Sequence, residues 1–316
     1  MGKITVSKKT FTFLALLTVI CYTLLVVTGG AVRLTGSGLG CSDWPTCSAG
    51  HLIASDSFHP LVEFSNRLVT VAVSIVTIFV FLASFYRNPR SRKLIILSTV
   101  ILAGLFGQVV LGGIVVLTKL NPYFVALHFL LTIAILVDAL ILFHLSRLGD
   151  GKKTPLVSSE VINITRILIV VLTAVTAAGT MVTGSGPHAG GKGAKRVPIS
   201  FRDMAELHAD LVLFLLGLTL ATWFLVKQAR VGKDIQKRSM WLVELMAFQG
   251  VIGYSQYFLH DQVALVEIHM AGATSIWISL IWFYINLYQF PKTSIRPDMG
   301  ITPVENTEIL QSVLTK

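Results

Sequence analysis

Gln108-Val109-Val110-Leu111-Gly112, followed sixteen residues after the glycine by His128, recurs as Gln249-Gly250-Val251-Ile252-Gly253 and His269. Each copy is an apolar stretch, a short polar break and a second apolar stretch with a histidine near its start. A weaker echo precedes each: Thr35-Gly36-Ser37-Gly38 returns as Thr183-Gly184-Ser185-Gly186, and Asn66 as His208. An internal repeat of this kind has to be settled before the fold is argued. It reads as a tandem duplication whose histidines face a buried ligand.

The chemistry around the repeat is that of a membrane protein. Hydrophobic residues make up 53% of the chain and charged ones 13%, about half the charged share of ordinary soluble domains, and mean hydropathy is +0.74. Apolar runs long enough to cross a bilayer are predicted at 11–30, 63–86, 94–117, 123–145, 166–183, 205–226, 241–259 and 265–288. The expected fold is therefore all-α: eight transmembrane helices as two tandem four-helix bundles related by a pseudo-twofold axis. The polar stretch 147–165 separates an N-terminal half, 1–150, from a C-terminal half, 151–316, whose tail from about 291 is expected to be disordered.

Basic residues set the orientation. With the N-terminus in the cytoplasm, the outer side holds only Arg33, Arg67, Lys119, Lys192, Lys195, Arg196 and Arg202 of the 26 lysines and arginines. Both termini are thus expected inside and the chain in the cell membrane. The net charge of +10 is a topology signal, so lipid is the expected surroundings and no nucleic-acid partner is. The first run lacks a small-residue cleavage site and is read as a retained helix.

The first outer loop, opening at Gly29, carries Cys41-Ser42-Asp43-Trp44-Pro45-Thr46-Cys47. Two cysteines this close on the oxidising face favour a disulfide; a metal site or an exchanging thiol pair are the rival readings. Cys21 lies alone in an apolar run, as packing, and His51 and His59 are expected to be solvated. Glu63, Asn66 and Arg67 fall on nearly one helical face at the head of the second run. Asp138 lies deep in the fourth run, where an ionisable group usually faces a cavity or a partner.

His128, His208 and His269 share one depth with Glu63 and Asn66, each near the outer head of an even-numbered helix. Two imidazoles facing one another inside a bundle can take both axial positions of a haem iron, which makes His208 and His269 a candidate bis-histidine site. Glu206 and Glu267, two residues before those histidines, point elsewhere, and the C-terminal half has no thiolate, so zinc fits poorly. Basic outer residues such as Arg202 suit haem propionates, and the basic outer loop 184–203 suits a bound anion. The N-terminal counterpart holds Asn66, His128 and the added carboxylate Glu63, where the C-terminal half has Ala205. This asymmetry points to substrate in one half and cofactor in the other.

The run GGAVRLTGSGLGCSDWPTC (Gly29–Cys47), EFSNR (Glu63–Arg67), ALHF (Ala126–Phe129), ELHADL (Glu206–Leu211) and EIHMAG (Glu267–Gly272), in a duplicated eight-helix frame, resemble the haem A synthase family (CtaA/Cox15). The resemblance covers most of residues 11–288. It implies an oxidoreductase that converts the C8 methyl group of haem O to a formyl group by two hydroxylations and loss of water from a geminal diol. It further implies haem b held by His208 and His269, haem O on His128 with Asn66 and Arg67 nearby, Glu63 as the catalytic carboxylate and a Cys41–Cys47 disulfide. Many members carry histidine where this chain has Asn66, a departure that bears on how the substrate haem is ligated. Haem O synthase, the cytochrome oxidase assembly route and a second copy of the chain are the candidate partners; no residue pattern identifies an electron acceptor. A di-haem b-type electron-transfer protein linked to quinone and a haem-binding transporter are the alternative functions. The first would need two histidines in each half, and the second would place its polar residues near the midplane.

Overall fold

The architecture comes from a computed structural model that describes residues 5–47, 51, 53–148, 153–191, 193–229 and 231–290. The tail expected to be disordered lies outside the described residues. Within them are eight long helices: α1 (Lys8–Leu34), α2 (Phe58–Tyr86), α3 (Arg92–Leu117), α4 (Pro122–Ser146), α5 (Ser159–Ser185), α6 (Phe201–Gln228), α7 (Lys233–Phe258) and α8 (Val263–Asn286). Polar caps start several of them: the Ser7, Ser91 and Ser200 side chains accept backbone N–H groups of the first turn, and Asn121 does so ahead of Pro122, satisfying donors that a helix start leaves orphaned.

Seven of the eight are long and apolar enough to cross a membrane; α7 is not among them. Its 26 residues include Glu244, Gln249 and Gln256, which dilute the apolar run expected at 241–259. Every helix begins before its apolar run, and α1, α4, α5 and α6 also end beyond theirs. Hydropathy marks the stretch matched to hydrocarbon, whereas helical hydrogen bonding continues through polar turns at either end. The clearest correction is at Gly29–Leu34, expected in the outer loop and found as the last turns of α1. Gly30 does not make a turn there: a Cβ at this position would lie 2.8 Å from Glu267 Oε2 of α8, so the glycine permits close approach of two helices.

Helices α1, α4, α5 and α8 form the centre: α1 packs on α4 and α8, and α4 on α5 and α8. The pairs α2 with α3 and α6 with α7 flank this centre, each linked back to it by its sequence neighbours. Phe11, Tyr22, Leu136, Leu168, Leu280 and Phe283 fill the interior, while Ile75, Phe79, Val110, Phe214 and Val251 are exposed on the flanking helices. Burying apolar side chains inward while keeping others outward is what a bundle in lipid requires, since lipid supplies no drive to hide them.

Backbone contacts define the two ends. At one, a two-residue strand β1 (Val6–Ser7) pairs with β2 (Arg87–Asn88), and β3 (Thr154–Pro155) pairs with β4 (Tyr288–Gln289). At the other, Gly38 N–H donates to Gly190 O at 3.0 Å, Lys195 N–H to Lys119 O at 3.4 Å and His188 Nε2 to Asp261 O at 2.6 Å. All four connections of this second end, after α1, α3, α5 and α7, are thereby tied together.

The two breaks before the histidine helices are built alike. Lys119 and Leu120 take φ of 55° and 56°, and His260 and Asp261 take 60° and 54°, a left-handed conformation that costs a non-glycine residue roughly 1–2 kcal/mol. The same three backbone bonds close both: Thr118 to Ile114, Lys119 to Val116 and Leu120 to Val115, then Leu259 to Ser255, His260 to Tyr257 and Asp261 to Gln256. After each break the histidine comes at the same place, His128 and His269 being the seventh residue of α4 and of α8.

Candidate functional site

In the C-terminal half, α6 brings His208 and α8 brings His269 to face each other with ring centroids 6.4 Å apart and planes at 73°. His208 Nδ1 donates to the Val175 carbonyl of α5 at 3.1 Å; since a carbonyl can only accept, Nδ1 carries the proton and Nε2 keeps its lone pair. This is the arrangement that orients a metal-bound imidazole. Metal–imidazole bonds of about 2.0 Å on both sides of one ion, plus the ring radii, place two axial ring centres roughly 6 Å apart. The observed gap fits one ion between the rings. Among the described residues no three His, Cys, Asp or Glu side chains gather as a metal shell, so the remaining ligands of such an ion would have to come with it, as a macrocycle provides them.

Glycines cradle these rings. A Cβ at Gly179 of α5 would stand 3.1 Å from His208 Cε1, and one at Gly253 of α7 3.1 Å from His269 Cε1. Gln249 of α7 donates through Nε2 to the backbone carbonyl of His269, which fixes the turn of α8 that carries this imidazole. A cavity of about 400 Å³ opens between the rings, walled by residues that include Phe129, Leu172, Thr176, Gly179, Val212, Tyr254 and Ile276. Its size and mostly apolar lining with a few polar groups are those of a small-molecule site.

The carboxylates beside these histidines behave differently from each other. Glu206 is exposed and pairs with Arg202, one turn earlier on the same helix, at 2.7 Å. Glu267 turns toward Gly30 of α1, both its oxygens buried without a hydrogen-bond partner. Among the described residues the guanidinium on the cavity wall is that of Arg33 of α1, which the sequence showed only as one more outer charge.

In the N-terminal half, His128 packs on α3, where a Cβ at Gly112 would stand 3.5 Å from its Cε1. Gln108 Nε2 donates to the His128 carbonyl at 3.0 Å and to Thr132 Oγ1 at 2.8 Å, the same brace that Gln249 gives His269. Nδ1 of His128, like Nδ1 of His269, is buried with no hydrogen-bond partner. On α2, Asn66 Oδ1 accepts from Thr28 of α1 at 2.7 Å. No hydrogen bond joins the His128 side chain to α2 among the described residues.

Glu63 is buried and spoken for at both oxygens. Oε1 meets Arg67 at 2.6 Å, and Oε2 accepts the Cys41 N–H at 2.8 Å. Arg67 reaches on to the Thr46 carbonyl at 3.0 Å and the Asp43 carbonyl at 3.2 Å. Cys41 and Cys47 are disulfide-linked, and Trp44 of the same loop covers Gly113, where a Cβ would lie 3.0 Å from its Cδ2. The loop is therefore clamped to α2 by hydrogen bonds to both members of the Glu63–Arg67 ion pair and seated on α3 beside Gly112, the glycine against which His128 packs. His51 and His59 are exposed as expected, although His59 Nδ1 bonds Ser37 Oγ at 3.0 Å. Cys21 is a free, partly buried thiol. Asp138 is partly buried, with Oδ2 lacking a partner.

Fold and site together define a multi-pass helical membrane protein with imidazoles paired across an internal cavity. The family model described as COX15-CtaA, cytochrome oxidase assembly protein, matches residues 12–57 and 52–190, a span that includes the cysteine loop, Glu63, Asn66, Arg67 and His128. The chain belongs to the COX15-CtaA family. Among its relatives, the Heme A synthases of Listeria welshimeri serovar 6b and Listeria innocua serovar 6a are each 26% identical over 291 residues, covering 87% of this chain and 93% of theirs. The Heme A synthase of Lysinibacillus sphaericus is 32% identical over 136 residues, 41% of this chain and 44% of that protein.

Proposed function

We propose that this protein is a haem A synthase that oxidises the C8 methyl group of haem O to a formyl group. The observation that carries the reading is the pair His208 and His269, 6.4 Å apart across a 400 Å³ cavity, in a chain related over most of its length to Heme A synthases. The glycine cradles and the protonated Nδ1 of His208 suit haem b as the resident cofactor of the C-terminal half, 151–316, with the two histidines as its axial ligands. Such a haem supplies one-electron redox chemistry. Haem O is the substrate of the N-terminal half, 1–150, where His128 is the iron ligand and Asn66 and Arg67 border the site. The repeated braces at Gln108 and Gln249 and the repeated left-handed breaks support two tandem bundles related by a pseudo-twofold axis. The shared end of Val6, Arg87, Thr154 and Tyr288 supports both termini lying on the cytoplasmic side of the cell membrane.

In this reading Glu63 has two tasks. Its carboxylate holds the disulfide loop through Cys41 N–H and Arg67, and beside the reacting methyl it would act as a general base for an attacking water or stabilise positive charge developing on carbon. Haem O synthase as supplier and the oxidase assembly route as receiver are its functional neighbours. The test is expression with a haem O source followed by chromatography of extracted haems. Haem A together with haem b is the expected result; unchanged haem O beside haem b would favour an electron-transfer protein, and a preparation without haem a transporter.

A further inference from the structure

Arg33 stands at the outer end of α1, in the N-terminal half, yet lines the cavity of the C-terminal half. Its Nε donates to the His188 carbonyl at 3.2 Å. The His188 side chain in turn donates to the Asp261 carbonyl at 2.6 Å, and Asp261 Oδ1 accepts from Gln256 at 3.1 Å. The guanidinium is thus fixed by a chain of bonds running through the connections after α5 and α7. Neither Nη atom has a hydrogen bond or an ion pair with protein among the described residues. The two carboxylates that share the cavity wall are engaged elsewhere, Glu206 by Arg202 and Asp261 by Gln256. A partly buried guanidinium fixed through Nε on the wall of a mostly apolar cavity, its Nη atoms without a hydrogen bond among the described residues, is matched by a carboxylate, which accepts two parallel N–H bonds.

We propose that Arg33 receives a carboxylate of the ligand in this cavity, a haem propionate, so that the N-terminal half closes the cofactor site of the C-terminal half. This rests on the reading of His208 and His269 as haem ligands and adds what orients the ring between them: iron held at its centre by imidazoles from α6 and α8, and its edge held by α1. Arg33 is a positioning residue that ties cofactor occupancy to the packing of α1 against the other half.

The full-length protein, made in a haem-starved host, is titrated with iron protoporphyrin IX and separately with its dimethyl ester, whose capped carboxylates cannot pair with a guanidinium. The low-spin absorbance band is the readout. The wild type should bind the free acid at least ten-fold more tightly than the ester. Arg33→Gln should bring that ratio close to one by weakening the acid and leaving the ester unchanged, and Arg33→Lys, which keeps charge without the fork, should fall between. An equal affinity for acid and ester in the wild type would overturn the inference, as would a ratio that Arg33→Gln leaves unchanged. If Arg33→Gln does not elute as a monodisperse species, the Arg33→Lys ratio decides: at least a three-fold drop supports the role and no drop overturns it. A wild type that shows no low-spin band with either compound would instead defeat the haem reading on which the inference stands.

Discussion

His128 and His269 are held by one set of local devices and face different neighbours. His128 and His269 each sit on a glycine of the preceding helix, Gly112 or Gly253, with a glutamine from that helix bonded to their backbone carbonyl. In the C-terminal half a second imidazole, His208, faces the first across a cavity. In the N-terminal half Asn66 occupies the repeat position of His208 and is tied to Thr28, while a buried carboxylate, Glu63, is added one turn earlier. On the proposed reading the shared braces hold an imidazole-bearing helix in each half and the opposing helix divides the labour: two imidazoles for a resident cofactor, and one imidazole with a carboxylate nearby for a substrate.

The largest expected effect breaks the C-terminal pocket alone. His208→Ala and His269→Ala should each abolish the low-spin haem spectrum of the purified protein, because each removes one of two axial bonds; an unchanged spectrum in either variant would reject the pairing. Next comes Glu63→Gln, which retains an acceptor for Cys41 N–H but loses charge and basicity. Haem A formation should fall about 10²–10⁴-fold, the usual worth of a general base, with haem b retained. Near-normal haem A would leave Glu63 only its clamp on the loop.

Gly253→Ala is a milder perturbation of the same comparison. Its new methyl would meet His269 Cε1 at 3.1 Å, and overpacking of this kind typically costs about 1–3 kcal/mol. Haem b should dissociate faster from this variant, while Gly112→Ala, with 3.5 Å to His128, should be milder still. Equal dissociation rates for Gly253→Ala and wild type would show that the cradle does not set the ring position. The smallest effect concerns the loop over the N-terminal site. Thiol labelling of the unfolded protein should find Cys21 alone before reduction and Cys41 and Cys47 as well after it; three reactive thiols without reductant would contradict the disulfide.

Much of this was legible in the chain because the signals are periodic and local. Apolar runs mark the stretch matched to lipid, and the Gln, Gly and His spacing repeats because each residue braces the next helix directly. Helix ends were not legible, since polar turns such as Ser159–Asn163 and Lys233–Arg238 are outside any hydropathy signal yet remain helical. Nor was the use of Gly29–Leu34, whose glycines read as a loop until α8 is seen against Gly30. The place of Arg33 was not legible either, because only tertiary packing brings the end of α1 onto the wall of the cavity between α6 and α8. The double engagement of Glu63 was likewise invisible, because its partner Cys41 N–H is a backbone group that no side-chain pattern announces.

The division of labour is tested most directly by His128→Ala, which touches only the N-terminal site. Extracted haems from this variant, expressed with a haem O source, should contain haem b at the wild-type ratio to protein and no haem A. Haem A at the wild-type level, or loss of haem b along with it, would contradict the assignment of substrate to one half and cofactor to the other.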